Sequence, residues 1–346
     1  MIREIGSDFE IGFELFFNSK RNNILRNSIL LTSGRDCIDY IIKDLGLNKD
    51  SYILLPSYFC DSILDPLKKW GLDCGFYKID KNLNVDIVDL KKKVLKKKPK
   101  FVLVIHYFGF IQPEINKIKE ICEKNEIKLV EDYVQSFLSG YPFVGDYVFN
   151  SYRKFLPLPD GAFLLGNFNK RVKVNHTKTD FVSNRLIGGL LKNFIFLKKH
   201  YRKFFVEAED RSIDSYDRPV AMSGISKFLL NRIDLREIIF KRRRNYLYLV
   251  NKLKTMKNVK VLFPKISKNV CPLGCPIIVK DRDKIRKFLI QNKIYPSIHW
   301  ILPKDVSKEE FSESWDVSDN ILTIPIDQRY NLRDMYRIVG VINGLH

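Results

Sequence analysis

The first hundred and sixty residues alternate segments of helical and strand-like hydrophobic spacing, and that alternation leaves few folds open. Cys37, Ile38, Ile41, Ile42 and Leu45 recur at helical spacing over 34–46 and stop at Gly46. Ser51 to Leu55 is a short apolar run halted by Pro56, which suits a buried strand. A helix from Asp61 to Trp70 ends at Gly71, and Cys74 to Ile79 reads as the next strand. A helix over 86–96 leads into Phe101-Val102-Leu103-Val104-Ile105, and one over 113–124 into Ile127-Lys128-Leu129-Val130. Strands joined by helices of this length predict a parallel, doubly wound α/β sheet. Ligands of such sheets bind beyond the carboxyl ends of the strands, where Pro56, His106 and Asp132 fall.

After Lys170 the rhythm changes. Residues 183–206 read as one long helical stretch mixing Leu186, Ile187, Leu190 and Phe194 with Lys192, Lys198, Lys199, Arg202 and Lys203. A basic, apolar helix can lie on a membrane surface; a packing helix with a solvated edge is the reading preferred here. A further helix over 223–255 carries Lys241-Arg242-Arg243-Arg244. Strands at Val259–Phe263 and Pro276–Val279, a helix over 282–292, a strand near 294–299 and a helix over 331–343 complete an α+β unit. The 346 residues suit one large and one smaller domain, expected at 1–235 and 236–346, with the N-terminal segment a candidate to pack on the smaller one.

Hydrophobic content of 45% and aromatic content of 13% argue against disorder. Sixty Lys+Arg against forty Asp+Glu give a net charge of +20, which suits nucleic acid, an anionic membrane face or phosphorylated small molecules. The lysines at 91–93 and 96–98 lack interleaved aromatics, so we read the excess as solvated helix faces and expect no nucleic-acid partner. The six cysteines (37, 60, 74, 122, 271, 275) form no Cys-x-x-Cys pair, so reduced thiols and no metal site are expected, in keeping with a cytoplasmic protein. The N-terminus shows no signal pattern, and no apolar stretch is long enough to predict a spanning helix.

Three segments could carry chemistry. Thr32-Ser33-Gly34-Arg35-Asp36 opens the first helix; it is either a plain N-cap or a turn whose N–H groups receive a phosphate. Asp132 ends an apolar strand, where its carboxylate could accept a pyridinium N–H or merely cap the next turn. Lys154 lies in Ser151-Tyr152-Arg153-Lys154-Phe155-Leu156-Pro157-Leu158-Pro159-Asp160-Gly161, a rigid turn that could project its amine into a pocket to form a Schiff base with pyridoxal phosphate. His106 and His299 are each open to a core or a pocket role, with the core preferred locally for His106.

Taken in order, these segments resemble the DegT/DnrJ/StrS-type sugar aminotransferases, pyridoxal-phosphate enzymes of fold type I. The resemblance runs from about residue 30 to the end, through Ser33-Gly34-Arg35-Asp36, Leu55-Pro56-Ser57-Tyr58, His106-Tyr107-Phe108-Gly109, Glu131-Asp132-Tyr133-Val134-Gln135, the lysine segment, Ile298-His299-Trp300 and Leu322-Thr323-Ile324-Pro325. It implies Lys154 as the cofactor-linked base, Asp132 as the partner of the ring nitrogen, and Gln135 beside the ring. It also implies Ser33, Gly34, Arg35 and Ser151 at the phosphate, and His106, Tyr107, Arg153, Arg218 and His299 toward the substrate. The family stacks an aromatic residue on the ring four positions after the loop proline. This chain has Cys60 there, with Tyr58 and Phe59 beside it. The lysine segment is also shorter than the common form, and Asp217 stands where the family places an asparagine, which marks a divergent subgroup. Relatives with histidine in place of the lysine are dehydratases, so Lys154 favours transamination.

The function implied is a homodimeric, cytoplasmic aminotransferase that moves an amino group from glutamate onto a nucleotide-linked keto-sugar in polysaccharide or related biosynthesis. The alternatives are a smaller phosphorylated ketone or non-nucleotide sugar as acceptor, or a family member without activity that binds through its basic surface.

Overall fold

The computed structural model describes residues 3–18, 28–212 and 218–344. Its centre is a seven-stranded sheet built from the alternating half of the chain. The strands are β2 (Ile29–Leu31), β3 (Tyr52–Pro56), β4 (Asp73–Tyr77), β5 (Phe101–Ile105), β6 (Lys128–Asp132), β7 (Tyr147–Phe149) and β8 (Ala162–Gly166), in the spatial order β2-β8-β7-β6-β5-β3-β4. The pairings from β4 through β7 are parallel, and only β8 runs against its two neighbours. The expectation of a mostly parallel α/β sheet is therefore met. All five residues of β5 are buried, as a strand covered on both faces requires.

The short β1 (Ile5–Gly6) and α1 (Glu14–Phe17) precede the sheet. Helices α2 (Gly34–Asp44), α3 (Leu64–Lys69), α4 (Ile87–Lys97) and α5 (Ile115–Lys124) connect its strands, and one large hydrophobic core joins them to it. Helix α4 shows how local sequence sets the ends. Asp86 accepts from the N–H groups of Val88 and Asp89, and the helix stops where Lys98 turns left-handed at φ 45°. The helix read from Asp61 opens as a 3-10 turn over Asp61–Ile63 before α3.

Two expected long helices are each broken. The stretch 183–206 is a hairpin of α6 (Thr179–Leu191) and α7 (Lys198–Ser212). Asn193 ends α6 by donating its amide to Leu190 O (3.0 Å) and Ile11 O (2.9 Å). Gly188 and Gly189 make room for the return: a Cβ on the first would lie 3.3 Å from Phe204 and Phe205, and on the second 2.7 Å from Ile11. The stretch 223–255 divides into α8 (Gly224–Leu230) and α9 (Leu235–Leu253), because Asp234 caps a new helix by accepting from Glu237 N (3.1 Å).

The C-terminal part sets β9 (Lys260–Val261), β10 (Cys275–Ile278) and β12 (Ile321–Ile324) in an antiparallel sheet ordered β12-β10-β9. Helices α10 (Arg282–Gln291), α11 (Ser312–Asn320) and α12 (Leu332–Asn343) accompany it; α11 has no counterpart among the expected elements. The strand expected near 294–299 is only β11 (Ile294–Tyr295), whose parallel partner is β1. A second core gathers residues of α9, β10, β12 and α12, and Ile5 is part of it. The N-terminal segment thus packs on the C-terminal lobe. No helix among the described residues is long and apolar enough to cross a membrane.

Candidate active site

The carboxyl ends of the central strands converge on Asp132, the last residue of β6. Its carboxylate is buried and accepts one hydrogen bond, from Val134 N (2.7 Å). Burial raises its pKa to about 7, against the partial relief of that N–H and of the Lys154 ammonium. The α2 N-terminus lies alongside. A Cβ on Gly34 would sit 3.4 Å from Phe149 and 3.5 Å from Val134, at the ends of β7 and β6. Ser33 caps α2, its hydroxyl donating to Asp36 Oδ2 (2.6 Å) and accepting from Asp36 N (3.3 Å). Arg35 is turned to Asp65, at 3.0 Å.

Lys154 ends a 3-10 turn over Tyr152–Lys154 and is exposed into a cavity of about 400 Å³ between the two lobes. The turn is held from both sides. Tyr152 N donates to Gly161 O (2.9 Å), and Gly161, at φ 125°, packs where a Cβ would come within 2.5 Å of Met222. From the other lobe, Arg242 and Gln328 both donate to Phe155 O, at 3.4 and 2.8 Å. Ser151 is buried at the head of the turn, and its carbonyl accepts from Lys154 N (3.4 Å). Arg153 lines the same cavity, its guanidinium 5.5 Å from the Phe181 ring centre.

The segment 219–223 ties the two turns together. Val220 N donates to Asp36 Oδ1 (3.0 Å), and Thr32 N to Val220 O (2.9 Å). Three residues on, Ser223 gives its N–H (2.9 Å) and hydroxyl (2.5 Å) to the Asp160 carboxylate. Burial raises the pKa of both carboxyls, while these donors oppose the rise.

His299 is half-buried in the cavity wall, with Nδ1 2.9 Å from Thr323 Oγ1. Burial, and after it the Lys154 charge, pushes its imidazole down to about 3, so it is neutral at physiological pH. Tyr58 is wholly buried: its hydroxyl donates to His299 O and accepts from Trp300 N (2.9 Å), and its ring lies 5.7 Å from those of Tyr107 and Trp300. Phe59 stacks on Phe76 at 5.4 Å, while Tyr107 donates to Tyr58 O (2.5 Å). Gln135 is buried and accepts from Phe108 N (2.9 Å).

His106 is fully buried. Its Nδ1 accepts from Gln112 N (3.1 Å), which leaves Nε2–H to donate to Glu131 Oε2 (2.8 Å). Arg218 is exposed, and Asp217 lies outside the described residues. Lys154 and His299 therefore line the cavity, and Asp132, buried at the end of β6 with the α2 N-terminus near, lies within electrostatic reach of Lys154, whereas Arg35, His106, Tyr107, Phe59 and Gln135 are engaged with other parts of the protein.

Several cavity residues had no signal in the sequence. Arg329 lies among Asp327 (2.8 Å), Glu10 (3.0 Å), Ser7 O (3.0 Å) and Asp8 O (2.8 Å), and so straps the N-terminal segment across the cavity. Lys192, 2.9 Å from Ser7 Oγ, holds the same strap; burial and the Arg329 charge lower its pKa to about 8. Arg185 approaches Asp8 at 3.6 Å. Arg242, read within a basic run, is a buried residue of the lobe junction.

The structure thus joins an open, mostly parallel α/β sheet to a smaller C-terminal lobe across a cavity that Lys154 and His299 line. Over residues 9–143 the chain matches the model of the DegT/DnrJ/EryC1/StrS aminotransferase family. Its fold is shared with a DegT DnrJ EryC1 StrS aminotransferase from Brucella abortus (18% identity, 99% of this chain and 92% of that one, TM-score 0.67). It is shared also with the putative sugar aminotransferase Spr1654 from Streptococcus pneumoniae in its PLP form (11% identity, 99% and 98%, TM-score 0.73). A third likeness is to Helicobacter pylori PseC, an aminotransferase of pseudoaminic acid biosynthesis (12% identity, 99% of each chain, TM-score 0.69).

Proposed function

We propose that the protein is a pyridoxal-phosphate-dependent aminotransferase that moves an amino group from glutamate onto a keto-sugar carried on a nucleotide. The observation that carries this reading is the buried Asp132 carboxylate at the end of β6, within electrostatic reach of Lys154. A carboxylate with one N–H donor in an apolar setting is poorly compensated, and a ring N–H⁺ is the partner it fits. The cofactor, when bound, supplies an aldehyde carbon and an electron-withdrawing ring. Asp132 would hold the ring nitrogen protonated, and the N–H groups following Ser33 and Gly34, with the α2 dipole, would receive the phosphate.

Lys154 Nζ would bind the cofactor covalently and, once displaced by substrate, take the proton from the amine-bearing carbon and return it to the acceptor. His299, neutral beside it, adds no second positive charge to suppress that basicity. Residues 6–9 form part of the wall of the cavity that Lys154 enters. Arg153 and Arg185 bring positive charge to the cavity wall, which favours a substrate bearing phosphates. That Spr1654, which shares the fold, is named a putative sugar aminotransferase supports a sugar as the acceptor. The same reading includes a cytoplasmic homodimer with shared sites, and a lobe boundary at 235/236, at the head of α9.

The test is borohydride reduction of the protein with pyridoxal phosphate, followed by peptide mass spectrometry. The cofactor mass should appear on the peptide containing Lys154 and vanish in Lys154→Ala. Attachment that persists in the variant would refute the assignment. A turnover screen with glutamate and nucleotide-linked keto-sugars, against the free sugars, tests the acceptor.

A further inference from the structure

The α6–α7 hairpin carries a feature that amino-group transfer does not use. Between Asp180 and Glu207 the chain has no acidic residue, yet it has Arg185, Lys192, Lys198, Lys199, Arg202 and Lys203. The bend between the helices reads Asn193-Phe194-Ile195-Phe196-Leu197. There Phe196 is 80% exposed and Phe194 39%. Their rings are 5.7 Å apart, and Phe194 meets Phe13 at 6.0 Å. Phe13 and Phe17, four residues apart on the N-terminal turn α1, are also exposed, Phe17 at 85%, while Leu15 and Phe16 between them face the core. Four exposed phenylalanines thus come from two segments that meet at the hairpin bend, and Lys198, Lys199, Arg202 and Lys203 all fall in the first six residues of α7 directly after it.

Isolated apolar side chains on a surface need no explanation, but a cluster of aromatics beside a run of one charge does. Charge complementarity decides the occupant. Arg185 and Lys192 are turned inward to Asp8 and Glu10, and Glu14 and Glu207 lie beside the patch, but the bases at the head of α7 leave it with a net positive charge. A basic surface with aromatic rings at its tip suits the boundary of an anionic phospholipid bilayer, where phenylalanines enter the headgroup region and basic side chains meet lipid phosphates. The hairpin is neither long nor apolar enough to span. We propose that the α1 turn and the α6–α7 bend form a peripheral docking site for anionic membranes, which would hold the cavity close to the bilayer surface.

Co-sedimentation of the full-length protein with vesicles tests this. The protein should pellet with phosphatidylglycerol-containing vesicles and bind pure phosphatidylcholine vesicles at least about tenfold more weakly, the difference shrinking at high salt. The doubly substituted Phe17→Ser, Phe196→Ser protein should lose most binding, and Lys203→Glu part of it. Both changes lie at exposed positions, and circular dichroism with gel filtration would confirm the fold. Absence of wild-type binding, or equal binding by the phenylalanine variant, overturns the proposal. So does a variant that turns monomeric while the wild type is a dimer without vesicle affinity, because a second copy then covers the patch.

Discussion

Asp132 sets a conflict between stability and binding that can be measured. Its folded pKa, about 7, lies above the ordinary 3.8, so the folded state holds this proton more tightly than the unfolded chain does. The stability linked to that proton is complete below the unfolded value and is lost as pH rises through about 7. Asp132→Asn removes the buried charge at constant shape. In cofactor-free protein it should therefore raise stability at pH 8 by up to about 4 kcal/mol, a gain that fades toward pH 4. Thermal melts at the two pH values, with cofactor titration of each protein, check it: the variant should melt higher and bind more weakly. An Asp132→Asn protein no more stable at pH 8 would mean that the carboxylate is not strained. At this scale the sequence showed Asp132 and Lys154 through their positions after a strand and in a proline-rich turn. It gave no sign of Arg329, whose partners Ser7, Asp8 and Glu10 lie at the opposite end of the chain.

Among elements, the strap of residues 6–11 is the one whose removal would most change the cavity. Burial would raise the Asp327 pKa, but the charge and hydrogen bonds of Arg329 hold it below the usual carboxylate range. Arg329→Met leaves Asp327 without that compensation, and breaking a pair of this kind costs about 3–5 kcal/mol. The same change frees Ser7 and Asp8, so limited proteolysis should cut the N-terminal segment sooner than in the wild type. Unchanged proteolysis and an unchanged melting point would show that Lys192 and the Ile5 core contact hold the strap alone. The elements legible from sequence were those whose pattern is self-sufficient, such as β5, buried along its whole length, and α4, with its Asp86 cap. The breaks at Asn193 and Asp234 were not legible. Their helical spacing continues across each break, and only contacts such as Asn193 with Ile11 O stop the first helix.

For the whole molecule, the proposed shared site calls for a second copy. Sedimentation equilibrium should return twice the chain mass of 40.8 kDa. Co-expressed Lys154→Ala and Arg218→Ala chains, each impaired alone, should regain partial activity in mixed dimers. Mixtures as inactive as their parents would place each site within one chain. The doubly wound sheet was visible in the alternation of the first half, whereas the lobe arrangement was not, since Ile5 joins a core made otherwise of residues after 245. One local feature constrains how such a molecule can diverge. The stretch 219–223 is the common ruler against which both the Ser33–Asp36 turn and the Ser151–Gly161 turn are set, through Asp36 and Asp160. A substitution that moves this ruler moves both turns at once. Drift in substrate preference is thereby channelled into the cavity rim, and the spacing of the two turns can change only if the stretch, Asp36 and Asp160 change in concert.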